Sequence, residues 1–204
     1  MIDKLEKSDK SLGGKHIGIA ITGSFCTFDI VLECIEELKK NGATLTAILS
    51  DATAENDTKF GTASDFKSAL TALTGNPIIS TLPAAEPIGP GKMLEVLIVL
   101  PATGNTLAKL AAGIADTPAS FAVKCQLRNE RPVVIGISSN DALGTGAKNI
   151  GHLLNAKNIY FIPFGQDDHE KKPRSIVFKK EQILPAILKA VQGQQIQPIL
   201  AHFC

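Results

Sequence analysis

The sequence predicts a single α/β domain, a three-layer Rossmann-like sandwich with a parallel sheet and helices on both faces. Three observations predict it. Strand-like and helix-like segments alternate along the 204 residues, the pattern that crossover units produce. The segments LEVLIVL (94–100) and PVVIGI (132–137) are nearly continuous hydrophobe, as expected of strands buried on both faces. Neither an internal repeat nor a change of composition marks a second domain, and one such domain accommodates this length. Residues 1–204 therefore read as one domain, with 1–14 as an N-terminal extension and 164–174 as an exposed loop.

Taken in order, HIGIAIT (16–22) is a short β-branched run, the first strand, ending in Gly23-Ser24. Phe28, Val31, Leu32, Ile35 and Leu38 then recur every three or four residues, one helix face that Asn41-Gly42 stops. TLTAILS (44–50) is the second strand, followed by a polar loop over 51–62 and a helix over 63–73 that TGNP (74–77) ends. Three prolines and two glycines make 83–91 an irregular loop. The third strand, 94–100, ends at Pro101, and Leu107, Leu110, Ala111 and Ile114 place a helix over 105–115. A helix over 118–127, the fourth strand, a loop over 138–146 and a helix over 147–154 follow. NIYFIP (158–163) is the fifth strand, and an amphipathic helix over 180–192 precedes the tail. The polar 164–174 loop is long enough for a lid or contact arm.

Composition excludes several function classes. Lys plus Arg number 21 against 20 Asp plus Glu, without the basic excess of a nucleic-acid binder. One Tyr and no Trp argue against an aromatic platform for base stacking. No apolar run reaches the ~18 residues of a membrane span. The first ten residues mix charges of both signs, unlike the apolar centre of a signal peptide. The expectation is a soluble cytoplasmic protein with neither nucleic acid nor membrane as partner. Cys26, Cys34, Cys125 and Cys204 form no CxxC, and the histidines at 16, 152, 169 and 202 are dispersed. These cysteines read as free thiols of a reducing compartment, and no metal site is expected.

Ligands of such a sheet bind at the carboxyl ends of its strands. Four ends here carry small, hydroxylated or amide residues: Thr22-Gly23-Ser24, Ser50-Asp51, Thr103-Gly104-Asn105-Thr106, and Ser138-Ser139-Asn140-Asp141. A glycine lets the backbone approach an anion, and a helix N-terminus offers unpaired N–H groups to a phosphate. Ser24 and Thr103 serve equally well as helix caps. Asn105 and Asn140 each offer a donor and an acceptor to a planar ring. With neither GxGxxG nor GxxxxGK[ST] in the chain, the standard dinucleotide fingerprint and the P-loop are both excluded. The residues point to a mononucleotide-type site.

These loops carry a family resemblance. PATGNTLAKLAAGIAD (101–116) resembles the PASANT motif and following helix of the homo-oligomeric FMN-containing cysteine decarboxylases. TGS (22–24) resembles their phosphate loop, and RPVVIGISSN (131–140) stands where they have the PxMN segment. A narrower likeness runs collinearly through essentially the whole chain. GKHIGIAITGSFCTFD (14–29), AEPIGP (85–90), RNERPVVIGISSNDALG (128–144), KNIYFIPFGQDD (157–168), KKP (171–173) and QPIL (197–200) are similar to the dipicolinate synthase B-subunit family.

The resemblance implies a flavodoxin-like fold, FMN as cofactor, and the dipicolinate synthase A subunit as a partner that brings NAD(P). It implies oxidation of dihydrodipicolinate to the small dicarboxylate dipicolinate, pyridine-2,6-dicarboxylate, in the mother-cell cytoplasm of a spore-forming bacterium. A homo-oligomer built on trimers is implied as well. Carried over by position, Thr22, Gly23, Ser24, Phe25 and Ser50 surround the FMN phosphate. Thr103, Gly104, Asn105 and Thr106 hold the phosphate and flavin edge, Ser138 approaches the isoalloxazine through its backbone, and Asn140 faces flavin or substrate. For the substrate carboxylates the candidates are Arg128, Arg131, Lys124 and the cluster Lys171, Lys172 and Arg174. The catalytic base is unassigned.

The departures are specific. Glu86-Pro87-Ile88 stands where the cysteine decarboxylases carry a His, and Ile137-Ser138-Ser139-Asn140 lacks their Met. Cysteine decarboxylation is thereby disfavoured. The alternatives are a non-catalytic assembly subunit without flavin, hinted at by Phe25 beside Ser24, and a flavin-dependent decarboxylase or prenyltransferase relative.

Overall fold

A computed structural model of the chain describes residues 11–202. Its strands are β1 (His16–Ile21), β2 (Thr44–Leu49), β3 (Val96–Ala102), β4 (Val133–Ser139), β5 (Ile159–Phe161), β6 (Phe164–Gly165) and β7 (Ile176–Phe178). Strands β2, β1, β3, β4 and β5 lie side by side in that order, all parallel. The helices are α1 (Phe28–Lys40), α2 (Asp51–Glu55), α3 (Ala63–Thr74), α4 (Leu82–Ala85), α5 (Gly104–Ala111), α6 (Pro118–Arg128), α7 (Ala147–Leu154) and α8 (Ile183–Val191). The fold is the predicted α/β sandwich.

Period-two alternation divides the core into two clusters. Ile17, Ile19, Ile21 and Ile98 share one with Val31, Ile35 and Leu38 of α1 and Ile183 and Ile187 of α8. Ala20, Leu97, Val99, Val133 and Ile135 share the other with Leu107 of α5, Ala122 and Val123 of α6, and Ile150 and Leu153 of α7. Successive strand residues thus meet opposite helical layers, which is why these segments read as hydrophobic throughout. Helix α1 ends where Gly42 takes φ +89°, a conformation that favours glycine. Helix α6 starts in a capping box: Thr117 Oγ1 accepts from Ser120 N, and Thr117 N donates to Ser120 Oγ.

The sheet departs from the all-parallel expectation at β4. Its first residues pair with β5, from Val133↔Ile159 to Ile135↔Phe161. Its last two pair antiparallel with β7, Ser138↔Val177 and Ser139↔Ile176. Strand β6 then pairs with β7. The segment 164–174 is therefore not loop from its start, because Phe164 and Gly165 form β6 and Phe164 is buried. The extension 1–14 also needs correction at its end. Leu12 is fully buried in the first cluster, and its N–H donates to Asn41 O; residues 1–10 lie outside the described residues.

Two expected loops contain helix. Residues 51–55 are α2, and 83–91 includes most of α4 and the 3-10 turn Glu86–Ile88. The helix after β3 ends at Ala111, short of 115. Cys34 and Cys125 are buried and Cys26 is exposed, all three as free thiols. Burial pushes the Cys34 thiol up to about 12, so it is inert as a nucleophile at neutral pH. Cys204 lies outside the described residues. Among the described residues, no helix is long and apolar enough to cross a membrane.

Candidate functional site

The chain runs from β1 outward to β2, then returns to place β3 on the other side of β1. That reversal opens a crevice between the carboxyl ends of β1 and β3, the binding position of open α/β sheets. A cleft of about 420 Å³ lies there, walled by Thr22, Gly23, Ser50, Asp51, Ala52, Thr103, Asn105 and Thr106, with Lys109, Thr117 and Ser120 also lining it. Three consecutive strand ends converge on it.

Thr22 is almost fully buried and stitches β1 to β3. Its hydroxyl donates to Pro101 O at 2.7 Å and accepts from Thr103 N at 3.3 Å. Ser50 caps α2: its Oγ accepts from Thr53 N at 3.4 Å and meets Thr53 Oγ1 at 3.0 Å. Thr103 caps α5 in the same way, accepting from Thr106 N at 3.2 Å with the two hydroxyls 2.9 Å apart. Capping holds these hydroxyls at the cleft wall while the helix starts keep further N–H groups to offer. Asn105 is exposed in the same wall, and its side chain has no hydrogen-bond partner among the described residues. A Cβ at Gly23 would stand 3.6 Å from Phe25 and 3.7 Å from Ala52, ordinary van der Waals contact. Small hydroxyls and main-chain donors suit a phosphate ester.

Lys109 is the lysine of this lining, and its ammonium is held by both oxygens of Asp116 at 2.8 and 2.9 Å. The same contact holds the Asp116 carboxyl below its ordinary value. Lys109, Thr117 and Ser120 escape the sequence reading. The signal was the capping pattern Thr117-Pro118-Ala119-Ser120, which marks a helix start before it marks a cleft.

The remaining predicted residues divide. Ser24 and Ser138 meet through their hydroxyls, 2.9 Å apart, joining the β1 loop to the end of β4. Phe25 stands behind Gly23, edge-on to Phe28, which stacks on Phe66 at 4.0 Å. Its ring lines a separate cavity of about 190 Å³ and leaves the cleft unfilled. Asn140 is exposed on the turn beyond β4, outside the residues that wall the cleft. Arg128 is not brought to the site. Helix α6 enters the cleft at its first turn, whereas Arg128 ends its last turn against Gly89, about 15 Å along the axis.

Gly104 is fixed by crowding. A Cβ there would lie 2.7 Å from Asp141 Oδ1 and 2.9 Å from Ser139 Oγ. Ser139 and Thr145 both donate to the Asp141 carboxylate and hold it below its ordinary value. Gly104→Ala is expected to destabilise by about 1–3 kcal/mol, the usual cost of overpacking, read as a lower urea midpoint. An unchanged midpoint would show that the Ser139–Asp141 pair yields freely.

The Flavoprotein family model matches residues 5–171. The chain belongs to that family. Within the Flavoprotein family its likeness is to the B subunits of dipicolinate synthase. The dipicolinate synthase B subunit of Bacillus subtilis is 44% identical over 192 residues, covering 94% of this chain and 96% of that one. The crystal structure of the corresponding B subunit from Bacillus halodurans superposes with a TM-score of 0.87 at 42% identity, covering 95% of this chain and 99% of that one. The FMN-dependent cysteine decarboxylase SpaF shares the fold, with a TM-score of 0.63 at 22% identity over 89% of this chain and 97% of its own.

Proposed function

We propose that this flavoprotein is the B subunit of a dipicolinate synthase that binds FMN in the strand-end cleft. With an A subunit that brings NAD(P), it oxidises dihydrodipicolinate to dipicolinate in the mother-cell cytoplasm during sporulation. The observation that carries the reading is the cleft at the β1–β3 crossover, walled by capped hydroxyls and open main-chain donors. The names of the similar dipicolinate synthase proteins and of FMN-dependent SpaF support it.

The residues divide the work. Ser50, Thr103 and Thr106, with the first N–H groups of α2 and α5, hold the phosphate, and Gly23 lines the cleft beside them. Asn105 offers its unpartnered amide to the ribityl or flavin edge. Ser138, tied to Ser24, borders the ring end. The bound flavin supplies hydride acceptance, and the protein supplies orientation and electrostatics. Cysteine decarboxylation is set aside, because Glu86-Pro87-Ile88 puts no His before β3. The groove between α5 and α6, with Leu110, Ile114, Val123 and Leu127, fits assembly into a homo-oligomer.

The test is an absorbance spectrum of the purified protein, followed by titration of the flavin-free form with FMN. Binding near one flavin per chain is expected, and Asn105→Leu is expected to weaken it without lowering the melting temperature. A second reading, an assembly subunit without flavin, draws on the hydroxyls of Thr22, Ser50 and Thr103 already being spent on the fold. Failure to bind FMN even beside the A subunit would overturn the first reading in favour of that one.

A further inference from the structure

A small dicarboxylate is best gripped by a guanidinium, whose planar fork matches a carboxylate with two parallel hydrogen bonds. The sequence holds three arginines, Arg128, Arg131 and Arg174. Arg131 donates to the carbonyls of Lys92 and Leu94, just before β3 begins and so at the opposite edge of the sheet. Arg128 sits against Gly89, at the far end of α6. Neither reaches the ligand edge.

Arg174 does, through a pairing that joins distant parts of the chain. The antiparallel pair Ser139↔Ile176 fixes the register of β7 on the carboxyl end of β4. Two residues further along that ladder Arg174 comes level with Asp141, and its carbonyl accepts from Leu143 N at 3.0 Å. The side chain lies along Gly144: a Cβ there would be 3.4 Å from Nη1 and 3.5 Å from Cδ. Any larger residue at 144 would press on the guanidinium.

The neighbouring carboxylates are already engaged. Asp141 accepts from Ser139 and Thr145. Asp167 pairs with Lys172 at 3.5 Å, and Asp168 with Lys171 at 3.9 Å. Arg174 is exposed, and its guanidinium makes no hydrogen bond or ion pair among the described residues. It is a cation whose backbone is held in register and whose donors are free, beside the hydroxyls that end β4.

We propose that Arg174 is a substrate-binding and specificity-determining residue, holding one carboxylate of a planar pyridine dicarboxylate at the end of β4. The inference rests on the site described under Proposed function and adds the residue that recognises the substrate's charge. No bond is made or broken in this step.

The test is calorimetric titration of pyridine-2,6-dicarboxylate into the FMN-saturated full chain, alone and with its A subunit. Wild type, Arg174→Gln, Arg174→Lys and Arg128→Gln are compared, with pyridine-2-carboxylate as the single-carboxylate probe. Arg174→Gln is expected to weaken the dicarboxylate at least tenfold and to erase the preference over the monocarboxylate. Arg174→Lys should recover part of the affinity, and Arg128→Gln should match wild type. FMN affinity and melting temperature should match wild type in all three variants. Equal dicarboxylate affinity in wild type and Arg174→Gln overturns the assignment of Arg174 while leaving the site intact. A wild-type protein that binds FMN but no dicarboxylate, even with the A subunit present, overturns the substrate reading itself.

Discussion

Ser50→Asp and Thr103→Asp are expected to keep the fold and lose the flavin. Both residues cap helices at the cleft wall, and aspartate caps as well as serine and better than most residues. The charge at a helix N-terminus is itself favourable. The melting temperature should therefore hold or rise slightly. Binding answers to a different term. At an effective dielectric near 20, two unit charges about 5 Å apart repel by about 3 kcal/mol. Each ~1.4 kcal/mol is a factor of ten, so FMN affinity should fall more than a hundredfold. Ser50→Asn and Thr103→Asn supply the control, with the same shape and capping but no charge. Fluorescence titration of FMN distinguishes the pairs. Tight FMN binding by both Asp variants would remove the phosphate from this end of the cleft.

Phe161→Ala should produce the largest loss of stability. Phe161 is buried in β5 and sets its ring edge-on to Phe164, 5.8 Å between centroids. The outer edge of β5 is closed by one side chain, since Gln195 Oε1 accepts from Phe161 N and its Nε2 donates to Phe161 O. Removing a buried Phe costs about 3–5 kcal/mol, against a total of about 5–15 kcal/mol for a typical domain. For a chain of this size the melting temperature should drop by roughly 10 °C, as followed by circular dichroism. A shift below about 3 °C would mean that β5 and the hairpin after it melt independently of the sheet.

The parts of the fold that sequence patterning reveals are those with strong, long periodicity. Val96 to Leu100 are buried to the last residue, and a run with no polar alternation reads as an interior strand. The strand nonetheless continues through Pro101 to Ala102, past the stop that a proline signals. The ladder shifts register between Val99 and Ala102, and the Pro101 carbonyl takes the hydroxyl of Thr22, so the missing proline N–H costs nothing there. Helices α2 and α4 span five and four residues, too few for any period to show, and α4 hides behind a proline that sits comfortably in its first turn. Strands β6 and β7, of two and three residues, are shorter still.

The cleft was partly readable for a related reason. Ser50 and Thr103 stand at strand-to-helix junctions, and the same residue types cap a helix and meet a phosphate. Local spacing identifies the junction. The candidate arginines differ only in what lies next to them in space. Arg128 and Arg174 look alike in sequence, and the pairing of Ser139 with Ile176 is what separates them.

That pairing also governs how this molecule can change. The β6–β7 hairpin hangs on the parallel strands by two register pairs at the tip of β4, beyond the stretch that β5 secures. Of the residues between its strands, Ser175 is buried and Arg174 O accepts from Leu143 N, whereas 166–173 are half-buried or exposed and can exchange charge without entering the core. The charge carried by that exposed connection is thus set independently of the capped strand ends of β2 and β3, a separation between an outer arm and an inner frame.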